Sequence, residues 1–175
     1  MMGRWLLLVS LVLAGIFGRM PVQAAAANFA YVDVPRVMAS SEAGKRAKGF
    51  LKKKLAVKQK EVTAMEAKIN EMKQNLESRK NLMAPESRSE LAVKIRRKFR
   101  EFQRLVEDNQ AAVDRENRRW TKKLTEALRE VIEEIGREKK YTAVFSRGQI
   151  LFVDPDIDIT KKVLIQLNAK TKNWF

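Results

Sequence analysis

The sequence of 175 residues contains neither cysteine nor histidine. Without cysteine it cannot form disulfides, present a thiolate nucleophile or carry a lipid on a cysteine side chain. Without histidine it lacks the usual general base, and with both residues missing it lacks the usual ligands of zinc. These two absences exclude most routes to catalysis.

Glycine is also scarce, at seven residues. Gly44 and Gly49 lack the surrounding residues of a phosphate-binding loop. The acidic residues of the central region are interspersed with lysines and arginines, which is typical of solvated helix faces rather than of paired catalytic carboxylates. We therefore predict that the protein is not an enzyme and uses no cofactor.

One acidic stretch, DPDID at 154–158, begins like a calcium-binding loop with acids at alternate positions. An EF-hand loop requires a glycine and a glutamate where this sequence has Ile159 and Ile165. We interpret the stretch as a turn in which Asp158 caps the helix that follows. No metal site is predicted.

Cationic residues are abundant, with 36 Lys and Arg against 21 Asp and Glu and a net charge of +15. Such a charge attracts polyanions, which include nucleic acid, anionic lipid and acidic protein surfaces. The stretch KIRRKFREFQRL at 94–105 contains six cations, one acid and two phenylalanines. Taken alone, it is typical of an arm that binds nucleic acid.

The N-terminus indicates a location. Arg4 precedes an uncharged, mostly apolar run from Trp5 to Gly18, and small residues follow it. This is the layout of a secretory signal peptide, and the run is shorter than the ~20 residues of a membrane-spanning helix, although a retained anchor is the alternative. We predict a signal peptide at 1–24, whose removal takes away two arginines and no acid and leaves a periplasmic chain of net charge +13. No specific nucleic-acid partner is expected there.

Residues 41–140 are almost all helix-forming, with one interruption. Pro85 disfavours helical geometry at the preceding residue, so the first helix should end there. Ser87 and Glu90 have the spacing of a capping box, which should start a second helix at once. The pattern predicts an antiparallel helical hairpin with its tip near 83–87.

Apolar residues recur along both helices at alternating steps of three and four, which is typical of coiled-coil packing. The first seam contains Leu51, Leu55, Val62, Met65, Ile69, Met72, Leu76 and Met83, and Lys58 and Arg79 break it. The second seam contains Leu91, Ile95, Phe99, Phe102, Val106, Asn109, Val113, Trp120, Leu124, Leu128, Val131 and Ile135. At 1.5 Å per residue the arms should be roughly 65–80 Å long.

Short apolar stretches at 29–33, 142–145 and 150–153 have the composition of strands. Because the hairpin returns the chain to its start, the first stretch can pair with either of the others. Residues 25–40 and 141–175 should form this small β body, but three short strands bury too little core to stand alone. We therefore predict an α+β fold that assembles as an obligate oligomer through apolar body residues, namely Phe29, Tyr31, Val32, Val144, Phe145, Leu151 and Phe152.

The opening FAYVDVPRVMASSEAGKRAKGFLKKKL, followed by KQKEV, resembles the start of the Skp/OmpH family of periplasmic chaperones. The closing VIEEIGREKKYTAVFSRGQILFVDPDIDITKKVLIQLN is similar to the second signature of that family. The resemblance spans 29–168, whereas Pro35, Trp174 and Phe175 have no place in the family pattern.

The resemblance implies a jellyfish-shaped trimer, in which long coiled-coil hairpin arms leave a β body and enclose a cavity. It also implies an ATP-independent holdase that keeps unfolded outer-membrane proteins soluble in the periplasm. A basic cage with weak, multiple contacts suits clients that have no fixed fold. We expect clients to contact the distal arm at Met72, Leu76, Leu82, Met83, Arg96, Arg97, Lys98, Arg100 and Arg104.

Two other functions are compatible with the sequence. A basic envelope protein with a structural role would bind lipopolysaccharide or anionic lipid, and it would be retained on anionic vesicles without affecting client aggregation. An exported nucleic-acid binder would bind DNA more strongly than a comparably basic control protein.

Overall fold

The computed structural model describes residues 27–174. The elements are β1 (Phe29–Val32), α1 (Val34–Ser40), α2 (Glu42–Arg79), α3 (Pro85–Lys139), β2 (Ala143–Ser146) and α4 (Thr160–Lys170), with single 3-10 turns at Arg147–Gln149 and Pro155–Ile157. No helix of this part of the chain is both long and apolar enough to cross a membrane. The predicted signal peptide at 1–24 lies outside the described residues and stays a prediction.

The two long helices are confirmed. α2 has 38 residues and α3 has 55, which correspond to lengths of about 57 and about 82 Å. They pack antiparallel: Lys54 of α2 forms an ion pair with Glu116 of α3 at 3.1 Å, and farther out Asn109 donates a hydrogen bond to the carbonyl of Lys58. α3 continues past the start of α2 and contributes its last turns to the body.

The turn between the long helices differs from the prediction. α2 ends at Arg79, and Pro85 is the first residue of α3 rather than the breaker of α2. Proline suits this position because the first helical residue has no intrahelical acceptor for its amide and because the proline φ is already helical. Ala84 is the N-cap and no side chain caps the helix, so the predicted capping box of Ser87 and Glu90 is wrong.

β1 and β2 form a two-stranded parallel sheet in which Phe29 lies opposite Ala143. The predicted pairing of the first strand with 142–145 is therefore confirmed, but the predicted strand at 150–153 is wrong. The other edge of β1 is used by the turn before α4, where Tyr31 bridges to Asp158. A 3-10 turn precedes Ile150, whose carbonyl accepts a hydrogen bond from the side chain of Arg147.

The hydrophobic core lies where the base of α3 meets β1, α1 and α4. Its fully buried side chains include Val37, Val131, Ile135, Val163 and Leu167. Ion pairs on the surface join α4 to α3, since Lys170 contacts both Glu130 and Glu134 and Lys162 contacts Glu138. The body therefore obtains its core from one end of the arm helix.

The coiled-coil seam is buried unevenly. Ile69 and Ile95 are buried, as the heptad pattern predicts, but Leu55, Phe99 and Val106 are between 40% and 50% exposed. Two helices alone cannot enclose a stripe of side chains, so residues at the edge of the seam remain open to solvent. At these three positions the seam is therefore only partly covered.

A close corner joins α1 to α2. Ser41 is fully buried, and its hydroxyl accepts a hydrogen bond from the amide of Gly44 and donates one to the carbonyl of Met38. A Cβ atom on Gly44 would lie 2.0 Å from that carbonyl oxygen. The corner therefore requires glycine at position 44 because no side chain fits between the two helices.

Asp158 connects the start of α4 to β1. Its carboxylate accepts a hydrogen bond from the amide of Thr160 at 2.8 Å, so it caps the first turn of α4 from the position before the N-cap Ile159. Desolvation acts to raise the pKa of Asp158, but the hydrogen bonds from Thr160 and from the Tyr31 hydroxyl outweigh it and hold this pKa below its ordinary value.

Asp158→Asn should lower the free energy of unfolding by about 1 kcal/mol at neutral pH, because the lost interactions are hydrogen bonds to a partly exposed charge. A carboxylate whose pKa is lowered by folding stabilises the protein above its unfolded pKa and loses this effect as the pH falls through the folded pKa. Urea unfolding should therefore show a difference between the two proteins at neutral pH that shrinks as the pH falls below the ordinary pKa of an aspartate. An equal loss in the exposed-site control Asp156→Asn would contradict this role.

Candidate functional site on the helical hairpin

The distal part of α3 concentrates positive charge. Residues 91–105 contain six cations and a single acid, Glu101. The hydrogen bond from Lys98, together with the charges of Arg97 and Arg104, lowers the pKa of Glu101. The acid therefore stays ionised beside Lys98, and the segment as a whole keeps a strong positive charge.

Two recesses between the helices form what we call the distal trough. The first, of about 470 Å³, is lined by Lys73, Leu76, Glu77, Ala92, Ile95 and Arg96. The second, of about 80 Å³, is lined by Glu66, Ile69, Asn70, Lys73, Phe99 and Phe102. Because Lys73 borders both, they are adjacent segments of one apolar surface, whose charged border consists of Lys73, Arg96, Glu66 and Glu77.

The aromatic part of the distal trough is a stacked pair. The rings of Phe99 and Phe102 lie 6.2 Å apart at an interplanar angle of 26°, and the ammonium group of Lys73 lies 5.8 Å from the Phe99 centroid. Phe99 is 44% exposed, so its ring is available to a bound molecule. A cation over a half-exposed ring keeps charge and apolar surface side by side.

The structure brings some of the predicted client-binding residues together and separates others. Leu76 and Arg96 both line the distal trough, and Met72 is half-buried on the same helix as Leu76. Leu82 and Met83 lie on the turn at the tip, where Leu82 is 88% exposed.

The remaining predicted residues are basic and lie elsewhere on α3. Arg97 lines a separate open depression with Pro85 and Val93. Lys98 forms an ion pair with Glu101, whereas Arg100 and Arg104 are exposed and border neither recess of the distal trough.

Most residues of the distal trough were not among the predicted site residues, and those missed include Lys73, Phe99 and Phe102. The two phenylalanines have a recognisable signal, since aromatic residues three apart inside a basic segment lie on one helix face. The heptad pattern assigned them to the seam, and this assignment hid the exposure of Phe99. Lys73 has no distinguishing sequence signal, because its role depends on the neighbouring helix.

Within residues 27–174 no group of three or more acidic, cysteine or histidine side chains is placed to hold a metal ion. The distal trough offers apolar contact area beside the basic segment 91–105 of α3. It is suited to bind flexible segments that present apolar side chains and negative charge.

A second apolar surface lies on the body. Phe29 and Phe145 are 42% and 44% exposed with ring centroids 5.9 Å apart, and Leu151 and Phe152 are almost fully exposed. The other predicted oligomerisation residues lie deeper within the chain: Tyr31 and Val32 are buried and Val144 is half-buried. Large apolar side chains exposed in this way are typical of a protein–protein contact.

Comparison with known proteins identifies the family. The model of the family described as outer membrane protein (OmpH-like) matches residues 28–167. A Skp-like protein of Pseudomonas aeruginosa is 25% identical over 144 residues, which cover 81% of this chain and 84% of the relative. An uncharacterized protein of Aquifex aeolicus is 27% identical over 141 residues, which cover 81% of this chain and 86% of the relative.

A crystal structure from Caulobacter crescentus CB15, described as that of an OmpH-like outer membrane chaperone, has the same fold. It matches with a TM-score of 0.78 at 21% identity, over 83% of this chain and 86% of that chain. The family match includes β1, both long helices and β2, the elements that build the arm and the body. The resemblance of the opening and closing motifs is thus confirmed, and the chain belongs to the Skp/OmpH family.

Proposed function

We propose that the protein is an ATP-independent periplasmic holdase that binds unfolded outer-membrane proteins and prevents their aggregation. Membership of the OmpH-like family supports a chaperone role. The observation that carries the proposal is the distal trough, where a half-exposed aromatic pair lies beside the basic segment 91–105, far out on a long arm. No chemical step is part of this function.

The physics of such clients fits the distal trough. Unfolded outer-membrane barrel proteins expose apolar side chains at alternate positions and strand edges without partners, and both promote aggregation. Covering one apolar side chain is worth roughly 1–3 kcal/mol, so a single contact is weak and reversible. Several arms acting on one client bind more strongly through effective concentration, without fixing a fold.

We further propose that three chains assemble into a homotrimer whose arms enclose the client. In this proposal residues 25–40 and 141–175 form the shared body and residues 41–140 form the arm. The support is the exposure of four large apolar side chains of the body, namely Phe29, Phe145, Leu151 and Phe152. Association that covers these side chains removes them from water.

The proposed function predicts suppression of aggregation without nucleotide. A urea-denatured outer-membrane barrel protein, diluted into a several-fold molar excess of this protein, should scatter much less light than it does alone. High salt should weaken the effect, because screening reduces the attraction between the basic arms and acidic clients. Unchanged scattering at low salt would refute the holdase function.

The contribution of the distal trough can be measured with Phe99→Ser. Removing a half-exposed phenylalanine should raise the concentration for half-maximal suppression by about fivefold, which corresponds to roughly 1 kcal/mol. Leu55→Ser, a change at a half-exposed apolar residue nearer the base of the arm, is the control and should have little effect. Equal effects of both substitutions would show that clients do not prefer the distal trough.

One observation favours the alternative of a structural protein that binds lipopolysaccharide or anionic lipid. Leu82 protrudes from the tip, and Arg79 and Lys80 precede it in the chain. Apolar side chains beside cations are typical of segments that enter an anionic membrane surface. Retention on anionic vesicles together with unchanged client aggregation would support this alternative over the holdase function.

A further inference from the structure

Trp174, the penultimate residue of the sequence, lies against α3 near the base of the arm. The ammonium group of Lys123 lies 4.2 Å from the centroid of the Trp174 ring and 5.6 Å from that of Trp120. Trp174 is half-buried and packs on the hydrophobic core of the body. It lies beyond the family match, which ends at residue 167.

The contacts continue across the hairpin. Trp120 meets the ring of Phe50 edge to face at 6.3 Å, and Phe50 belongs to α2. We call Trp174, Lys123, Trp120 and Phe50 the base clasp. It joins the C-terminal segment to α3, and α3 to α2, by aromatic and cation–π contacts.

The base clasp lies at the boundary between body and arm. On one side of it α3 is anchored in the core by Leu124, Leu128 and Val131, which are all buried. On the other side α3 packs along α2, and its seam there includes the polar residue Asn109. The clasp therefore acts on α3 where the helix leaves the rigid core.

The position of the base clasp is important because the arm beyond it is long. From Thr121 to Pro85, α3 extends for about 54 Å, so a pivot of about 10° at the clasp displaces the tip by about 9 Å. Small angular changes at the base thus become large displacements of the distal trough. A contact that restrains the base sets the position of the whole arm.

We propose that Trp174 is an arm-positioning residue, which with Lys123 fixes the angle at which the arm leaves the body. The ring of Trp174 holds the stem and ammonium group of Lys123 against Trp120, and this restrains α3 just outside the core. The effect on the arm stands without the proposed function. Its consequence, a cavity of defined width for clients, rests on that function.

The distance between arm and body tests the proposal directly. Because the chain has no cysteine, spin labels can be placed at Ala64→Cys on α2 and Lys161→Cys on α4, which are both exposed. Labelled chains are diluted with unlabelled protein, so that electron–electron resonance reports distances within one chain. The measurement uses no client, so its result is independent of holdase activity.

The starting protein should give one narrow distance distribution. Trp174→Ala and Lys123→Met should broaden or shift it by several ångströms, since Ala64 lies about 21 Å beyond the clasp and each 10° of pivot moves it by about 4 Å. Trp174→Phe, which keeps an aromatic face, should restore most of the order. Lys122→Met is the matched control, because Lys122 pairs with Glu126 outside the clasp, and it should change nothing.

Thermal unfolding separates positioning from stability. Trp174→Ala can also lower the melting temperature of the body. In that case Lys123→Met distinguishes positioning from stability, because it retains both tryptophans and removes only the charge. A changed distance distribution in Lys123→Met at unchanged melting temperature supports the proposal. An unchanged distribution in Lys123→Met overturns it.

Discussion

Gly44→Ala should destabilise the protein by about 3 kcal/mol, the largest effect that we expect from a single methyl group. The added Cβ would lie 2.0 Å from the carbonyl oxygen of Met38 and 2.9 Å from the hydroxyl oxygen of Ser41. The Met38 carbonyl is a backbone group, and the buried Ser41 hydroxyl is hydrogen-bonded both to this carbonyl and to the amide of Gly44. Relief of the clash must therefore move α1 relative to α2.

Gly49→Ala is the matched control on the same helix. A Cβ at Gly49 meets nothing within 4 Å, so alanine should stabilise the helix by about 0.5–1 kcal/mol through its higher propensity. Urea unfolding of both variants should thus show changes of opposite sign. A Gly44→Ala variant as stable as the starting protein would show that the corner between α1 and α2 is not closely packed.

Phe152→Asp should dissociate the proposed homotrimer. Phe152 is 89% exposed within one chain, and covering such a side chain in a shared body stabilises association by about 2 kcal/mol. The carboxylate also brings a desolvation cost into an apolar contact. A combined loss of about 3 kcal/mol weakens association by more than a hundredfold. Sedimentation at micromolar concentration should then report single chains.

Leu82→Asp provides the control for this experiment. Leu82 is 88% exposed, almost the same as Phe152, but it lies at the opposite end of the molecule. The same change of chemistry there should leave the oligomeric mass intact. Dissociation by both substitutions, or by neither, would contradict an interface that is confined to the body.

The long helices could be predicted because a sustained three–four repeat of apolar residues has few alternatives. The role of Pro85 could not be predicted as readily, since proline both ends helices and occupies their first position, and the local sequence does not decide between them. The segment 150–153 has strand composition, but a strand forms only where an edge is free, and the turn at Asp158 already occupies that edge of β1. The tertiary contact of Asp158 with β1 therefore overrode the local preference of 150–153 for a strand.

The candidate site could also be predicted only in part from the sequence. Its cations and its apolar residues are visible in the sequence, whereas the exposure of Phe99 depends on how far two helices can cover a shared seam. Gly44 lies within the opening sequence motif, but the requirement for glycine there comes from the carbonyl oxygen of Met38, which belongs to α1. Trp174 had no place in the family pattern, and only its distance to Lys123 indicates a role.

The mass of the protein, alone and with an unfolded outer-membrane barrel protein, tests the holdase most directly. Size-exclusion chromatography with light scattering, in the absence of nucleotide, should give three chains alone and three chains plus one client after mixing. The complex should elute as one soluble peak and weaken as salt is raised. A well-folded single chain at micromolar concentration, or a client that never co-elutes, would contradict the account.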